Sequence, residues 1–244
     1  MKYIASIQDF FLSPRWFTNL LLAGICTLIP VVGPMVVLGW LVGGFWGRDA
    51  YDAATFPDFD FSKFVKYLER GLWPMLVVLV ASVVFMPLTW IACVVPIMGV
   101  SILAEGHHHS NAAAVMLVLL VVIVIVAAIV LSLLIMLVLK PLMLRATLTQ
   151  NFAPAFDLRW AGRFLKRTWL ECILAAIFLW VASIVLSLAG FLALCIGIYF
   201  VAGPIYFGMV HLDRQIYFLF LERGGDPVPA SPKLRDEPPP IPAP

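Results

Sequence analysis

The stretch AAAVMLVLLVVIVIVAAIVLSLLIMLVL, residues 112–139, decides the fold because it contains no charged residue. At a rise of about 1.5 Å per residue, a helix over this stretch is longer than the roughly 30 Å hydrocarbon core of a bilayer. It is apolar on every face, whereas a surface helix of a soluble domain keeps one polar face. The stretch is therefore predicted to span a membrane, and it divides the chain into two similar halves.

The composition agrees with a membrane protein. Of the 244 residues, 63% are hydrophobic and 12% are charged, which excludes disordered, collagen-like and disulfide-scaffold proteins. The four cysteines lie in apolar segments without a C-x-x-C pair, as is typical of buried thiols. We expect a single membrane-embedded helical domain at residues 1–223 and a disordered, proline-rich cytoplasmic tail at residues 224–244.

Further apolar segments predict an all-α polytopic membrane helix bundle. Residues 72–103, 169–188 and 198–210 join the central stretch to make about four full spans. Residues 18–47 are also apolar but contain Pro30, Gly33 and Pro34 at their centre, and neither arm is long enough to cross alone. Two alternatives remain for this segment: a single broken span, or a re-entrant hairpin that enters and leaves by the same face.

Two amphipathic segments indicate interfacial helices and an internal duplication. Within residues 59–70, apolar side chains fall on one helical face and Lys63, Lys66 and Arg70 fall on the other. A shift of 97 residues aligns residues 57–70 with residues 154–167, and each copy leads directly into a predicted span. Gly33-Pro34 and Gly203-Pro204 also recur. Both halves are therefore predicted to use one unit of apolar helix, surface helix and apolar helix.

The distribution of positive charge predicts the orientation. Lys and Arg are concentrated in residues 47–71 and 140–168, whereas residues 104–111 and 189–197 have none. The long basic loops and the C-terminus are therefore expected in the cytoplasm. A hairpin at residues 18–47 would place all 16 Lys and Arg residues on that side, which favours the hairpin over the single span.

Charged positions near the predicted spans provide the candidate binding residues. Basic side chains on the surface helices are expected to attract anionic lipid headgroups, each contributing about 1 kcal/mol. These interfacial residues are Lys63, Lys66, Arg70, Arg159, Arg163, Lys166 and Arg167. His107 and His109 are weak candidates for a metal, because imidazole binds Zn²⁺ or Cu²⁺ but adjacent histidines cannot all reach one ion without strain. A solvated histidine loop is the favoured alternative.

Small residues in the broken helices are candidates for close helix contacts. The spacing of Gly39 and Gly43 is that of a small-x-x-x-small pattern. Such positions pack helices either within one chain or between subunits, and the sequence leaves both alternatives open. The set predicted to make these contacts is Gly33, Pro34, Gly39, Gly43, Gly203 and Pro204.

The broken segment carries a resemblance to a known family. Ile29-Pro30-Val31-Val32-Gly33-Pro34, followed by Leu38-Gly39-Trp40 and Phe56-Pro57-Asp58-Phe59, resembles the prokaryotic membrane family called domain of unknown function 4013. The similarity covers most of residues 8–222, and the histidine run and the proline-rich tail depart from it. The resemblance implies a multi-helix protein of the bacterial or archaeal inner membrane, and it implies no activity.

Function is predicted mainly from the motifs that the sequence lacks. The sequence has no P-loop, zinc-protease, nucleophile-elbow or dinucleotide-binding motif, and no predicted span carries paired acidic residues at its centre. We therefore expect a non-enzymatic protein with no catalytic residues and no cofactor, binding lipid, other membrane subunits or itself, and no nucleic acid. The favoured role is an accessory or scaffold subunit or an assembly factor. The alternative is a small-solute or lipid transporter or channel built on the duplicated unit.

Overall fold

A computed structural model of the protein describes residues 1–48, 50–105, 111–192 and 197–236. Regular structure in these residues is helical throughout, which confirms the all-α class. The α-helices are α1 (Ala5–Gln8), α2 (Trp16–Thr27), α3 (Val32–Trp46), α4 (Phe64–Glu105), α5 (Asn111–Thr149), α6 (Phe152–Ala155), α7 (Leu158–Leu192) and α8 (Gly197–Glu222). Short 3₁₀ turns occur at Asp9–Leu12, Phe61–Lys63 and Pro232–Leu234.

Three helical stretches in the described residues are long and apolar enough to cross a membrane. They are Phe61–Gly99, Val118–Thr149 and Leu158–Leu192. This supports a membrane protein, as predicted, with a smaller number of clear spans than the predicted four. The apolar run at residues 198–210 forms the first part of α8, which ends in a more polar segment.

The chain divides into two compact units. One consists of Met1–Val77 and the described part of Lys140–Pro244, and the other of Val78–Leu139. The first unit has an aromatic core in which Trp40 contacts Phe56 and Phe59, and Phe45 and Phe56 both contact Phe207. In the second unit, Ala81 and Val124 are the buried hydrophobic side chains among those described.

Residues 16–46 form a helical hairpin in the first unit. Its arms are α2 and α3, and the turn between them contains Val31 in the left-handed region, at φ 67°. Asn19 on α2 accepts a hydrogen bond from the Phe59 amide at 2.9 Å, and Trp40 on α3 donates to the Pro57 carbonyl at 2.9 Å. A single span would separate Asn19 from Trp40 by roughly 30 Å along its axis, so these contacts require the chain to reverse. The geometry is that of the favoured hairpin.

Glycines bring α3 and the start of α4 into backbone contact. A Cβ on Gly39 would lie 1.7 Å from the Tyr67 carbonyl oxygen, and a Cβ on Gly71 would lie 1.8 Å from the Met35 carbonyl oxygen. Neither backbone oxygen can withdraw as a flexible side chain would. The two helices therefore approach this closely only because both positions lack a side chain.

The other small residues predicted to make close contacts also meet parts of the same chain. A Cβ on Gly33 would lie 1.7 Å from the Cys26 carbonyl oxygen, one on Gly43 would lie 2.5 Å from Arg70 Nη1, and one on Gly203 would lie 3.3 Å from the Ala23 Cβ. Packing within the chain thus accounts for the glycines of this set. Pro34 lies in the first turn of α3, and Pro204 lies inside α8.

The predicted interfacial helices are not separate elements. Residues 64–70 are the first turns of α4, and residues 158–168 are the first turns of α7. Gly71 lies inside α4 and does not end it. Its missing side chain allows the close contact with α3. The amphipathic pattern therefore covers the first turns of two long helices, and each helix continues into its apolar stretch without a break.

The two halves share one local feature of the predicted repeat. Asp60 accepts a hydrogen bond from the Ser62 amide at 2.9 Å, and Asp157 accepts one from the Trp160 amide at 3.0 Å. The hydrogen bonds from Ser62 hold the pKa of Asp60 below its usual value, and the amide of Trp160 does the same for Asp157. Each aspartate therefore caps the start of a helix. The recurring Gly-Pro pairs are less equivalent, since Pro34 is in a first turn and Pro204 is in a helix interior.

We predict that Gly39→Ala lowers the free energy of unfolding by about 1–3 kcal/mol, because the added methyl group must push two backbones apart. Gly162→Ala is the matched control: nothing lies within 4 Å of a Cβ at that helical position, so it should be neutral or stabilising by up to about 1 kcal/mol. Thermal unfolding of both variants in gentle detergent measures the difference. Equal melting temperatures would contradict the glycine contact.

Candidate functional site

The charged residues at the starts of α4 and α7 form the candidate site. Both segments lie in the first compact unit, where the chain after α8 passes over them. The structure separates the seven predicted interfacial residues by exposure. Lys66, Arg159, Arg163 and Lys166 are exposed, Lys63 and Arg167 are half-buried, and Arg70 is buried. The exposed four are accessible at the surface, and their contact with headgroups stays a prediction.

Arg70 departs from that prediction because other parts of the chain cover it. Its side chain is 5% exposed. The guanidinium donates from Nε to the Lys233 carbonyl at 3.0 Å, and from Nη2 to the Arg235 carbonyl at 3.2 Å and to Asp236 Oδ1 at 2.8 Å. Nη1 lies against Gly43, where a side chain would collide with it. Arg70 therefore binds the C-terminal segment in place of the predicted headgroup.

The segment that covers Arg70 is the predicted disordered tail. We call residues 226–236 the C-terminal strap. The strap follows a Schellman turn, in which the Gly224 amide donates to the Leu221 carbonyl and the Gly225 amide to the Phe220 carbonyl, both at 2.9 Å. Gly224 has φ 74°, the left-handed conformation that this turn requires.

Hydrogen bonds fasten the first part of the strap to the helices. The Tyr217 hydroxyl accepts from the Val228 amide at 2.8 Å, Trp160 Nε1 donates to the Asp226 carbonyl at 3.1 Å, and the Ser231 amide donates to the Leu148 carbonyl at 2.8 Å. Leu234 is 1% exposed in the main core. The predicted disorder therefore does not hold for residues 224–236, and residues 237–244 lie outside the described residues.

Acidic residues of the strap pair with the starts of both long helices. Asp226 contacts Arg163 on α7 at 2.9 Å. Asp236 uses one carboxylate oxygen for Lys63 and the other for Arg70, both at 2.8 Å. One pair runs in the opposite direction, from Lys233 on the strap to Glu69 on α4, also at 2.8 Å. The strap thus connects the two predicted repeats through complementary charge.

The environment of Asp236 favours its ionised form. Burial alone would raise the pKa of its carboxyl group, but the hydrogen bonds from Lys63 and Arg70 outweigh burial and lower it. A group whose pKa is lower in the folded state stabilises that state at pH values above its unfolded pKa. The contribution of Asp236 to holding the strap is therefore complete at neutral pH and decreases in acid.

A buried ion pair joins α5 to α8 in the same unit. Lys140 contacts Asp213, and the two side chains are 13% and 14% exposed. A cavity of about 10 Å³ beside Asp213 has room for about one water molecule. Two charges withdrawn from water in this way are stable only together, since either alone would lose its solvation without compensation.

A second group of polar side chains, formed by Asp9, Tyr51 and His211, lies where the N-terminal segment meets α8. The Tyr51 hydroxyl donates to Asp9 at 2.9 Å, and burial, followed by this hydrogen bond, raises the pKa of Tyr51. His211 on α8 stacks on Phe45, with its Nδ1 3.9 Å from Asp9. These contacts place the His211 ring against aromatic side chains of the core, with the Asp9 carboxylate nearby.

The predicted metal site at His107 and His109 stays a prediction. His107 and His109 lie outside the described residues. Across the described part of the chain, no three His, Cys, Asp or Glu side chains are grouped so that they could hold a metal ion. Cys26 and Cys172 are free and buried, as expected for thiols in apolar segments.

The family model described as "Protein of unknown function (DUF4013)" matches residues 22–208, which is more than half of the chain. The protein belongs to this family. Its membership confirms the predicted resemblance. No curated protein and no solved structure matches the chain.

The DUF4013 match includes Lys63, Arg70 and Arg163 but ends before the strap. Sequence reasoning missed the strap because its proline content resembles that of disordered tails. The available signal was one apolar residue, Leu234, between charged neighbours and followed by Asp236. This pattern identifies a residue with something to bury, although it does not identify the partner.

We predict that Lys140→Met destabilises the protein by about 3–5 kcal/mol, because Asp213 would remain buried and unpaired. The double variant Lys140→Met, Asp213→Leu should recover most of this loss, since apolar replacements remove both desolvation costs. Unfolding in detergent measures both variants. A double variant as unstable as the single one would show that the charges are not coupled.

We also predict that the end of the strap, residues 232–236, is released in acid. As the pH falls below the unfolded pKa of about 4 and through the lower folded pKa, Asp236 becomes protonated and loses its ion pairs. Pepsin cleavage near Leu234 should then accelerate. Asp236→Asn controls for the pH dependence of pepsin itself, so the ratio of wild-type to variant cleavage rates should rise towards one in acid. A constant ratio would refute the role of this carboxylate.

Proposed function

We propose that this DUF4013 protein is a non-enzymatic integral membrane protein that serves as an accessory or scaffold subunit, or as an assembly factor, of a membrane complex. One observation supports this most directly. In the unit Val78–Leu139, Ala81 and Val124 are the buried hydrophobic side chains among those described, and most of the other large apolar side chains described there are exposed. An apolar helical surface of this kind fits lipid and partner helices.

The described hydroxyl groups of the same unit offer little for catalysis or solute binding. The hydroxyls of Ser82, Thr89 and Ser132 donate to carbonyls of their own helices at 2.8 Å. They are thereby satisfied without a ligand. The cavity beside Asp213 is also too small for a solute larger than water. These features favour a binding role over the alternative of a transporter or channel.

The proposed placement is in a prokaryotic inner membrane. In this placement α8 provides a fourth crossing, and the α2–α3 hairpin enters and leaves by the cytoplasmic face. The basic residues at the starts of α4 and α7 support it, since positive charge is retained on the cytoplasmic side. Exposed Lys66, Arg159 and Lys166 would then attract anionic headgroups. The shared aspartate caps support the proposed duplication.

We expect a stoichiometric complex, with another membrane protein or a second copy, after gentle extraction through a tag placed beyond Pro244. Native mass spectrometry would count the subunits. A shallow depression on α5, lined by Val122, Ile123, Val126, Ala127, Val130, Leu131 and Leu134, is the surface to test. Ala127→Trp fills this depression and remains apolar, so it should displace a partner helix while lipid contact is preserved.

Ala92→Trp is the matched control, because it adds the same side chain at an exposed position on α4. Loss of the partner with Ala127→Trp alone would support the proposal and identify the surface. A protein that is always monomeric and binds nothing from membrane extract would contradict it. A flux of ions or solutes across sealed vesicles containing the pure protein would favour the transporter instead.

A further inference from the structure

The site around Arg70 binds one carboxylate with two cations. We call Lys63, Arg70 and the adjoining Gly43 the Arg70 recess. Asp236 presents its two oxygens to different partners, with Lys63 Nζ and Arg70 Nη2 each at 2.8 Å. A phosphate group also carries two or more anionic oxygens on one centre. The recess is therefore suited in charge and geometry to a phosphate as well as to a carboxylate.

The Arg70 recess lies at the start of a helix that is long enough to cross a membrane. The candidate span begins at Phe61, close to Lys63. Beside the recess, the side chains of Phe61 and Val65 are 52% and 75% exposed, and Lys66 is exposed as well. An amphipathic surface that combines exposed apolar side chains with lysine is typical of the headgroup region of a bilayer.

The end of the strap and an external anion compete for the same two cations. Arg70 is 5% exposed while residues 233–236 cover it, and departure of those residues uncovers the guanidinium beside Lys63. An anion that binds these two side chains takes the place of Asp236 and stabilises the released state. Binding of that anion and release of the end of the strap are thus two sides of one exchange.

The exchange involves only the end of the strap. Its first part is held away from the recess by Tyr217, Trp160 and the Leu148 carbonyl. Its last part, residues 232–236, is held by Leu234, by the pair of Lys233 with Glu69, and by the recess itself. Detachment of these last residues leaves the earlier hydrogen bonds intact.

We propose that the Arg70 recess is an anion-binding site at which the phosphate of an anionic lipid headgroup replaces the carboxylate of Asp236 and releases residues 232–236. The displaced segment then exposes Leu234 and the charged side chains beside it. This inference rests on the proposed membrane placement of the start of α4. It assigns the recess a ligand class, and it assigns the strap the role of an internal competitor.

Hydrogen exchange of the full-length protein in vesicles tests the replacement. The amides of Leu234 and Arg235 donate to the Ser231 and Pro232 carbonyls at 3.1 Å, so their exchange reports the end of the strap. In vesicles containing phosphatidylglycerol, amide exchange at residues 233–236 should be at least about tenfold faster than in pure phosphatidylcholine. Charge-assisted hydrogen bonds contribute free energies of this order.

Variants distinguish competition from a general effect of the lipid. Asp236→Asn weakens the internal ligand, so the faster exchange should appear at a lower fraction of phosphatidylglycerol. Asp52→Asn removes a carboxylate that bonds only within its own loop, to Ala54 and Thr55, and it should leave the transition unchanged. Arg70→Gln should abolish the lipid dependence. Lys63→Gln, at a half-exposed position, should reduce it without the risk of misfolding.

Adding inorganic phosphate to phosphatidylcholine vesicles separates the two sources of the anion. Faster hydrogen exchange with free phosphate would support the replacement of Asp236 by an anion and would identify that anion as a soluble ligand. Equal exchange in both vesicle types, with no response to free phosphate, would overturn the proposal. Flotation with the vesicles is scored independently, so a protein that floats but shows no lipid response refutes this inference alone. A protein that fails to float refutes the membrane placement itself.

Discussion

The contact between α3 and α4 at Gly39 and Gly71 is the constraint on which the organisation of the first unit depends. Because neither residue has a side chain, the two backbones meet directly. This brings Tyr67 into the aromatic core and places Arg70 against Gly43, at the edge of that core. The hairpin, the start of α4 and the docking site for the strap are therefore consequences of one close approach. A larger residue at either glycine would separate all three.

The described charged side chains of this protein lie mainly at the ends of the long helices, and most of them are paired within the chain. Asp213 pairs with Lys140, Asp9 with Tyr51, and the strap with both basic helix starts. Between these ends the described helices expose mainly apolar side chains. This separation suits a protein whose binding partners are lipids and helices, since an apolar medium penalises every unpaired polar group. It also explains why charged pairs, rather than pockets, are the distinctive features of the site.

The C-terminal strap links these two features. It uses Leu234 to complete the aromatic core and acidic residues to pair with arginines at the starts of α4 and α7. A single segment thereby joins the two predicted repeats, which share aspartate-capped helix starts but differ in their Gly-Pro elements. The asymmetry extends to two arginines at matching positions, because the strap and Gly43 cover Arg70. Arg167, the counterpart of Arg70, lies beside Phe220 and remains half-buried.

The sequence by itself determined the all-α class, the long apolar helices and the family. Residues 112–139 and the proline-glycine element at residues 29–40 were sufficient, because uninterrupted hydrophobicity and local chain breaks are properties of neighbouring residues. It also favoured the hairpin, through the distribution of charge. Only the tertiary structure decided that the interfacial segments continue into α4 and α7, that Arg70 is buried and that residues 226–236 are ordered. These outcomes depend on contacts between residues as distant as Arg70 and Asp236, and a pattern along the chain carries no information about which distant anion a cation will meet.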